Sequence, residues 1–180
     1  MMQIEINRFL GWPVMAKSLH TCGKTPDAQS AAEKMGYTMT SALAGARAFN
    51  AAGLLSVDET FSLEQVVIDW EIVQYVRALC EGDRFGTDSL FLDAVEELAR
   101  GGSFLEHDST LAHYREATWE PTLFTHHLAE TWKAAGSKET PERAREIAKQ
   151  RIAEHDFSPP KEVRKDLDAI WKRAVKRFKA

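Results

Sequence analysis

The chain has 180 residues, and 23 lysine and arginine residues against 27 aspartate and glutamate residues leave a net charge of −4. This length, with a hydrophobic content of 44%, is typical of one soluble globular domain. No segment approaches the roughly 20 apolar residues of a membrane span, and the first residues lack the apolar stretch of a signal peptide. We therefore expect a cytoplasmic protein without a membrane role.

Charge is distributed unevenly along the chain. Residues 1–132 contain 9 basic and 19 acidic residues, whereas residues 133–180 contain 14 basic and 8 acidic residues. The basic residues of this second part alternate with acidic ones and do not cluster with aromatic residues, so nucleic-acid binding is not expected. Cys22 and Cys80 are too few for a disulfide framework and lack a paired C-x-x-C spacing, which predicts free thiols.

The first half of the chain predicts two strand-loop-helix units in succession. Residues 14–19 form a short apolar segment that is typical of a buried strand. Thr25 and Pro26 then predict the start of a helix whose apolar positions continue to Phe49. Residues 54–57 predict a second strand, and a capping box at Ser62 opens a helix to about residue 81, which Gly82 can end.

The second half is predicted to be almost entirely helical. Apolar spacing favours a helix over about residues 90–98, followed at Phe104 and Leu105 by a third, very short strand. Further helices are expected over about residues 108–119, 123–135 and 140–154, the first with Asp108 as its N-cap. Ser158-Pro159-Pro160 opens a last helix whose apolar residues recur on one face.

Successive strand-loop-helix units favour parallel strands, because such connections lay helices over a sheet. Only two or three strands are visible. A parallel sheet of that size has exposed edges, so we expect it to pair with further strands, to self-associate or to be covered by the many helices.

The loop after the first predicted strand is the first candidate site. His20, Thr21, Lys24 and Asp27 place an imidazole, a hydroxyl, an ammonium and a carboxylate where α/β folds position their functional groups. One interpretation is a ligand-binding loop, and another is a helix N-cap with solvated neighbours. The Cys22 thiol beside His20 also permits nucleophilic catalysis, although known thiol enzymes do not arrange the pair by adjacency in sequence.

The loop after the second predicted strand is the second candidate site. Ser56, Asp58 and Glu59 can offer carboxylates to a cationic ligand, or they can simply stabilise the start of the following helix. The histidines do not form a metal site in this interpretation. His107 and His113 fall on different faces of a helix, as do the adjacent His126 and His127.

Several blocks of the sequence resemble a known family. These blocks are residues 5–13, 24–29 with Glu33-Lys34, 61–69, and 101–105 with His113-Tyr114-Arg115. In the same order they resemble the C-terminal part of the trimethylamine methyltransferase family. The resemblance covers nearly the whole chain, from about Ile4 to the end.

The resemblance implies an α/β fold that is the C-terminal part of a (β/α)8 TIM-type barrel. In that interpretation, residues 1–106 form a partial barrel with two or three parallel strands, and residues 107–180 form a helical C-terminal extension. The implied activity transfers a methyl group from a methylated amine, often a quaternary amine such as a betaine. The implied acceptor is the cobalt of a corrinoid (cobalamin) carried by a separate protein, with no corrinoid bound covalently to this chain.

The resemblance also bears on the substrate and on the assembly. Some members of the family use pyrrolysine to activate a tertiary amine, and we expect that position within residues 18–24, where this chain has only standard amino acids. We therefore favour a substrate other than trimethylamine. The chain is expected to act with the missing barrel portion or a second copy of itself, or to be a non-catalytic remnant or a small helical binding protein.

Overall fold

The protein is described by a computed structural model covering residues 2–81 and 90–178. The predicted helix end at Gly82 lies outside the described residues. The helices are α1 (Met2–Phe9), α2 (Ala28–Leu43), α3 (Leu63–Glu81), α4 (Leu92–Leu98), α5 (Asp108–Ala117), α6 (Ala129–Ala134), α7 (Thr140–Ala153) and α8 (Lys161–Phe178). The strands are β1 (Met15–Ala16), β2 (Ala48–Phe49), β3 (Leu54–Leu55) and β4 (Thr60–Phe61). The described chain is therefore a mostly helical α/β structure with very short strands.

A single parallel β-α-β unit organises the first part of the chain. Strands β1 and β2 pair in parallel, with Met15 opposite Ala48, and α2 forms the crossover between them. The pairing continues beyond the strands, because Asn50 N donates to Ala16 O at 3.0 Å and Leu19 N donates to Asn50 O at 3.2 Å. The prediction of parallel strands joined by a helix is confirmed for this unit.

The second parallel strand is not the one that the sequence predicts. Helix α2 ends at Leu43 instead of continuing to Phe49, since Gly45 has a φ of +104° that an α-helix does not accept. The apolar side chains of Ala46 and Phe49 pack in the core from the strand region and not from a helix. Their apolar spacing suits a buried helix face equally well, and this explains the error.

The structure also corrects the predictions for the second and third strands. Leu54–Leu55 is a strand as predicted, but its pairing is not parallel. Residues 54–57 do not form a parallel strand, because β3 pairs with β4 in an antiparallel hairpin with Leu54 opposite Phe61. Phe104 and Leu105 belong to a short 3-10 turn, Phe104–Glu106, which is capped by the Ser103 side chain. Both segments are apolar runs too short for their spacing to distinguish a parallel strand from a hairpin or a turn.

The predicted long helices are confirmed, with changes at their ends. Helix α3 has the predicted bounds, and Ser62 Oγ accepts from Gln65 N at 3.2 Å, which is one half of the predicted capping box. The N-cap residues of α2 and α5 are Asp27 and His107, each one or two residues from the expected position. None of the helices in the described part is long and apolar enough to cross a membrane.

Helices α2 and α3 pack against each other and form the main core. Its buried members share an apolar character and are Ala42, Ile68, Ile72, Val76, Leu123 and Ala144. A smaller cluster of Ile4, Ala16 and Ala46 lies under α1 and β1. The chain divides into two compact units, residues 1–148 and 149–180, and most of the large apolar side chains of α8 are exposed.

A buried ion pair joins α2 to α3. Lys34 Nζ lies 2.7 Å from Asp69 Oδ2, and both side chains have an exposed fraction of 0%. Asp69 also accepts from Gly53 N and from Gln65 Nε2, each at 2.7 Å. Burial lowers the pKa of Lys34 and raises the pKa of Asp69, while the hydrogen bond between them opposes both shifts. Charges in this position are tolerated because each one has partners.

A segment without regular structure is held to α3 by another carboxylate. Glu71 is 1% exposed and accepts from Leu123 N at 2.8 Å, Phe124 N at 3.0 Å and Thr122 Oγ1 at 2.6 Å. Backbone N–H groups that donate to the Glu71 side chain do not form the backbone hydrogen bonds of a continuing helix. This explains why α6 begins at Ala129 and not at the predicted residue 123.

Removing one member of the ion pair is expected to destabilise the fold strongly. Asp69→Ala leaves the Lys34 ammonium and two N–H donors buried without an acceptor, and we expect a loss of about 3–5 kcal/mol in the free energy of unfolding. Urea denaturation followed by circular dichroism measures this change. Asp58→Ala, at an exposed aspartate, is the control and should change stability by less than about 0.5 kcal/mol. Equal urea midpoints for the two variants would contradict the assignment.

The contact between α3 and α7 predicts a specific pH dependence. Arg145 Nε lies 2.8 Å from Glu64 Oε1, and this hydrogen bond is the largest of the interactions that together lower the pKa of Glu64 from 4.5 to about 2. Because the folded pKa is the lower one, the stabilisation is present above about pH 4.5 and is lost as the pH falls toward about 2. Arg145→Gln should lower the free energy of unfolding by about 0.5–1 kcal/mol at neutral pH and make it less dependent on pH between these limits.

The measurement for this pair is the free energy of unfolding as a function of pH for the parent and for Arg145→Gln. Arg151→Gln, on the same helix, serves as the control and should keep the parent's profile. Two parallel profiles for the parent and Arg145→Gln between pH 5 and 2 would rule out the linkage.

Candidate functional site

The loop that follows β1 meets the tip of the β3–β4 hairpin through backbone hydrogen bonds. Val57 N donates to Thr21 O at 2.7 Å, and Ser56 N donates to Gly23 O at 2.8 Å. These bonds place the loop after β1 beside the tip of the β3–β4 hairpin. We call the region formed by residues 19–27 and 56–59 the loop junction. It lies where the parallel strands end, which is where α/β folds position ligands.

Close packing at the start of α2 shapes the first loop. A Cβ on Gly23 would clash with Ser30 Oγ, so the absence of a side chain at Gly23 lets the loop pack closely against the start of α2. Asp27 is the N-cap of α2 and accepts from Ser30 N at 3.0 Å and from Thr25 Oγ1 at 2.8 Å. These two hydrogen bonds lower the pKa of Asp27, and the bond from Ser30 N has the larger effect. Its carboxylate is therefore engaged in capping α2.

Thr21 is a buried member of the loop and has its hydroxyl fully used. Thr21 Oγ1 donates to Glu33 Oε2 at 2.7 Å and accepts from Gly23 N at 2.8 Å. The same Glu33 oxygen accepts from Cys22 N at 2.7 Å. Hydrogen bonds from Gln29, Thr21 and Cys22, in that order, lower the pKa of Glu33. The pair Thr21 and Glu33 holds the loop in shape and leaves little capacity for a ligand.

His20 and Lys24 differ in their availability. His20 is half-buried, and its Nε2 is shielded from solvent without a hydrogen-bond partner in the described part of the chain. The Lys24 side chain is exposed, and its Nζ donates to Cys22 O at 2.7 Å. Cys22 is an exposed free thiol. Of the groups on this loop, the imidazole and the ammonium retain donors or acceptors for a ligand.

The hairpin tip contributes the acidic residues of the junction. Ser56 and Val57 have φ values of +50° and +68°, a left-handed conformation that is strained for the β-branched Val57. Ser56 Oγ donates to Glu59 Oε2 at 2.8 Å. Asp58 and Glu59 are exposed, and the Asp58 carboxylate makes no hydrogen bond or ion pair with the described residues. The tip therefore offers two carboxylates to solvent.

The structure brings the two predicted loops together and separates their residues by role. The backbone bonds at Thr21 and Gly23 place Lys24 near the hairpin tip that bears Asp58 and Glu59. A cation and two anions thus share one surface region. Thr21 and Asp27 are engaged in the loop and the helix cap, whereas His20, Lys24 and Asp58 keep free capacity.

The sequence prediction missed Glu33 and Asp69, two helix carboxylates that hold the loop after β1 and the loop after β2. Both occur in blocks that carry the family resemblance, but neither spacing nor charge pattern assigned them a role. A carboxylate on the buried side of a helix is the only local signal, since such a group needs partners. Within residues 2–81 and 90–178, no group of three histidine, cysteine, aspartate or glutamate side chains is arranged to hold a metal ion.

Comparison with known proteins gives consistent matches. A family model described as trimethylamine methyltransferase matches residues 1–178. The chain is 32% identical over 178 residues to a trimethylamine methyltransferase of Methanosarcina barkeri, covering 97% of this chain and 35% of the relative. It is 30% identical over 151 residues to a trimethylamine methyltransferase of Desulfitobacterium hafniense, covering 82% of this chain and 30% of the relative.

A third relative has a different named substrate. The chain is 29% identical over 157 residues to a glycine betaine methyltransferase of Desulfitobacterium hafniense, covering 87% of this chain and 32% of the relative. In each of these alignments, the chain spans about a third of the length of the curated relative that it matches.

The role of Glu33 in shaping the loop is directly testable. Glu33→Gln replaces a carboxylate that accepts several hydrogen bonds with an amide whose NH2 group cannot accept any. The loop should therefore open more often. Amide hydrogen exchange at Cys22 and Gly23 should become faster, while exchange in the middle of α3 stays unchanged. Glu96→Gln, on α4, is the control. Unchanged protection at Cys22 in Glu33→Gln would show that the carboxylate does not hold the loop.

Proposed function

Because the chain belongs to the trimethylamine methyltransferase family, we propose that it takes part in the transfer of a methyl group from a methylated amine. The family match over residues 1–178 is the observation that carries this proposal. The proposed acceptor is the cobalt of a corrinoid carried by a separate protein. Since the chain spans about a third of its relatives, it is proposed to act with a polypeptide that corresponds to the rest of them. In that assembly, β1 and β2 would be strands of a (β/α)8 barrel.

The charges of the loop junction support a quaternary amine as the substrate. A quaternary ammonium is a permanent cation, and the exposed carboxylates of Asp58 and Glu59 attract it. A betaine also carries a carboxylate, for which the Lys24 ammonium is a suitable partner. Gly23, beside Lys24, is bonded to Ser56, two residues from Asp58, so the segments that carry the opposite charges belong to one surface region. This arrangement suits a small zwitterion.

The proposed reaction needs no proton transfer from this chain. In methyl transfer from a quaternary ammonium, the carbon–nitrogen bond breaks, both of its electrons stay on nitrogen, and a neutral tertiary amine leaves. When its protein docks, the corrinoid would supply a strongly nucleophilic cobalt. The residues of the junction would hold the amine with one methyl group directed toward the acceptor. No general acid is required.

Methylation of a corrinoid protein provides the test. The chain is assayed alone and together with a polypeptide corresponding to the remaining two thirds of a relative, with trimethylamine, glycine betaine and other betaines as donors. The change in cobalt absorbance reports methyl transfer. We expect turnover with a betaine and little with trimethylamine, because the chain has only standard residues at positions 18–24. No turnover in any combination would contradict the proposal.

Matched variants separate binding at the junction from a general effect. Asp58→Asn removes one exposed negative charge and should raise the KM for the betaine roughly tenfold, an effect of about 1.4 kcal/mol, with a smaller change in kcat. Asp166→Asn, an exposed aspartate on α8, is the control and should leave both parameters unchanged. Equal KM values for the two variants would argue against a role of Asp58 in binding.

A non-catalytic binding or self-associating protein is the second candidate function. It is favoured by large apolar side chains that are exposed in the described residues, among them Phe9 at 89%, Leu105 at 81% and Leu128 at 80%. Surfaces of this kind often mark contacts with another protein. A stable homodimer in light scattering, together with no methyl transfer in the assay above, would favour this function over the enzymatic one.

A further inference from the structure

A cavity lies between the start of α2, α3 and the start of α7. It has a volume of about 640 Å³ and is bounded by the first turn of α2, the first half of α3 and residues 124–143. Of the seven predicted site residues, Asp27 alone is among the described residues that line it. This volume is within the range of small-molecule sites in proteins. We call this cavity the α2–α3 cleft.

The first polar feature of the cleft is an acceptor without a donor. Gln65 lines the cleft and is 1% exposed. Its Nε2 donates to Asp69 Oδ1 at 2.7 Å, which fixes the orientation of the amide because a carboxylate only accepts. Its Oε1 is buried and has no partner in the described part of the chain. A buried acceptor of this kind calls for an N–H or O–H group from outside the chain.

The second polar feature is a donor without an acceptor. Arg143, on the first turns of α7, lines the cleft, and its Nε is buried without a hydrogen-bond partner among residues 2–81 and 90–178. Two other charges of the lining are engaged, since Lys138 Nζ lies 2.6 Å from Glu146 Oε1 and Asp27 caps α2. Glu139 also lines the cleft, and its exposed carboxylate has no hydrogen bond or ion pair with the described residues. The Arg143 guanidinium is thus the cation of the lining that is left for an anion, and a guanidinium is well suited to a carboxylate.

Between these polar groups the cleft is apolar. Ile68, Phe124 and Trp132 line it, and Trp132 is positioned by a 3.1 Å hydrogen bond from its Nε1 to Lys138 O. Aromatic and aliphatic walls with a few convergent polar groups are characteristic of sites for small organic molecules. The cleft therefore presents a buried acceptor, a cationic donor and an apolar surface to an occupant, and the exposed Glu139 carboxylate also lines it.

We propose that the α2–α3 cleft binds a small zwitterionic molecule of the amino-acid class with an apolar side chain. Its carboxylate pairs with Arg143, its ammonium N–H donates to Gln65 Oε1, and its side chain packs on Ile68, Phe124 and Trp132. A quaternary ammonium has no N–H group and cannot satisfy Gln65. The cleft therefore selects a different chemical class from the loop junction, and the inference does not depend on the proposed methyl transfer.

L-Phenylalanine is the probe for the test, and isothermal calorimetry with the full chain is the measurement. We expect saturable binding with a dissociation constant between about 10 µM and 1 mM. 3-Phenylpropionate lacks the ammonium and phenethylamine lacks the carboxylate, so each should bind at least tenfold more weakly. No saturable binding of L-phenylalanine, or equally tight binding of either analogue or of glycine betaine, would overturn the proposal.

Variants locate the binding in the cleft. Arg143→Met and Gln65→Met should each weaken L-phenylalanine binding at least tenfold. Arg145→Met, on the same helix but paired with Glu64 and absent from the lining, is the matched control and should bind as the parent does. Circular dichroism verifies that each variant is folded, and Arg143→Met decides the result if Gln65→Met unfolds. Parent-like binding in Arg143→Met would also refute the proposal.

Discussion

The buried ion pair between Lys34 and Asp69 is the interaction on which the rest of the described structure depends. Each side chain has an exposed fraction of 0%, so neither charge is solvated by water and each relies on the other. Lys34 belongs to α2 and Asp69 to α3, and the pair therefore sets how these two helices pack. Asp69 also accepts from Gly53 N, which ties the loop after β2 to the same point.

That loop connection determines where the β3–β4 hairpin lies. A Cβ on Gly53 would lie 2.5 Å from Val66 Cγ2 and 2.6 Å from Phe61 Cε2, and its φ is +80°. Glycine is required by both constraints. With Gly53 fixed against α3, the hairpin tip at Ser56 and Val57 reaches the loop after β1 and completes the loop junction. A buried electrostatic contact in the helix layer thus positions a surface region at the end of the strands.

Carboxylates on helices organise the loops by one common mechanism. Glu33 on α2 accepts from the loop after β1, and Glu71 on α3 accepts from residues 122–124. Loop N–H groups have no partner in a helix or sheet, and a carboxylate with two oxygens can accept several of them. The helices therefore position both faces that we assign to ligands. The loop junction keeps its free charges outside this network, and the α2–α3 cleft retains the two buried groups that the network leaves unpaired.

The sequence by itself determined the features that depend on neighbouring residues. The bounds of α3, the start of α7 at Thr140 and the loop after β1 follow from apolar spacing and from residues that start helices, which act within a few positions. The blocks that resemble the methyltransferase family also identified the family correctly. Local patterns did not distinguish β2 from a helix end, since Ala46 and Phe49 are apolar in either arrangement.

Only the tertiary structure decided which side chains are available at the candidate site. Lys34 and Asp69 are separated by 35 positions, and Thr122 and Glu71 by 51, so no local pattern links them. Thr21 and Asp27 were predicted for substrate binding with the same argument as His20 and Lys24. Their oxygens are engaged by Gly23, Ser30 and Glu33, and those partners are fixed by how α2 packs behind the loop. Proximity in the sequence indicates which chemical groups are present, whereas packing determines which of them remain free to bind.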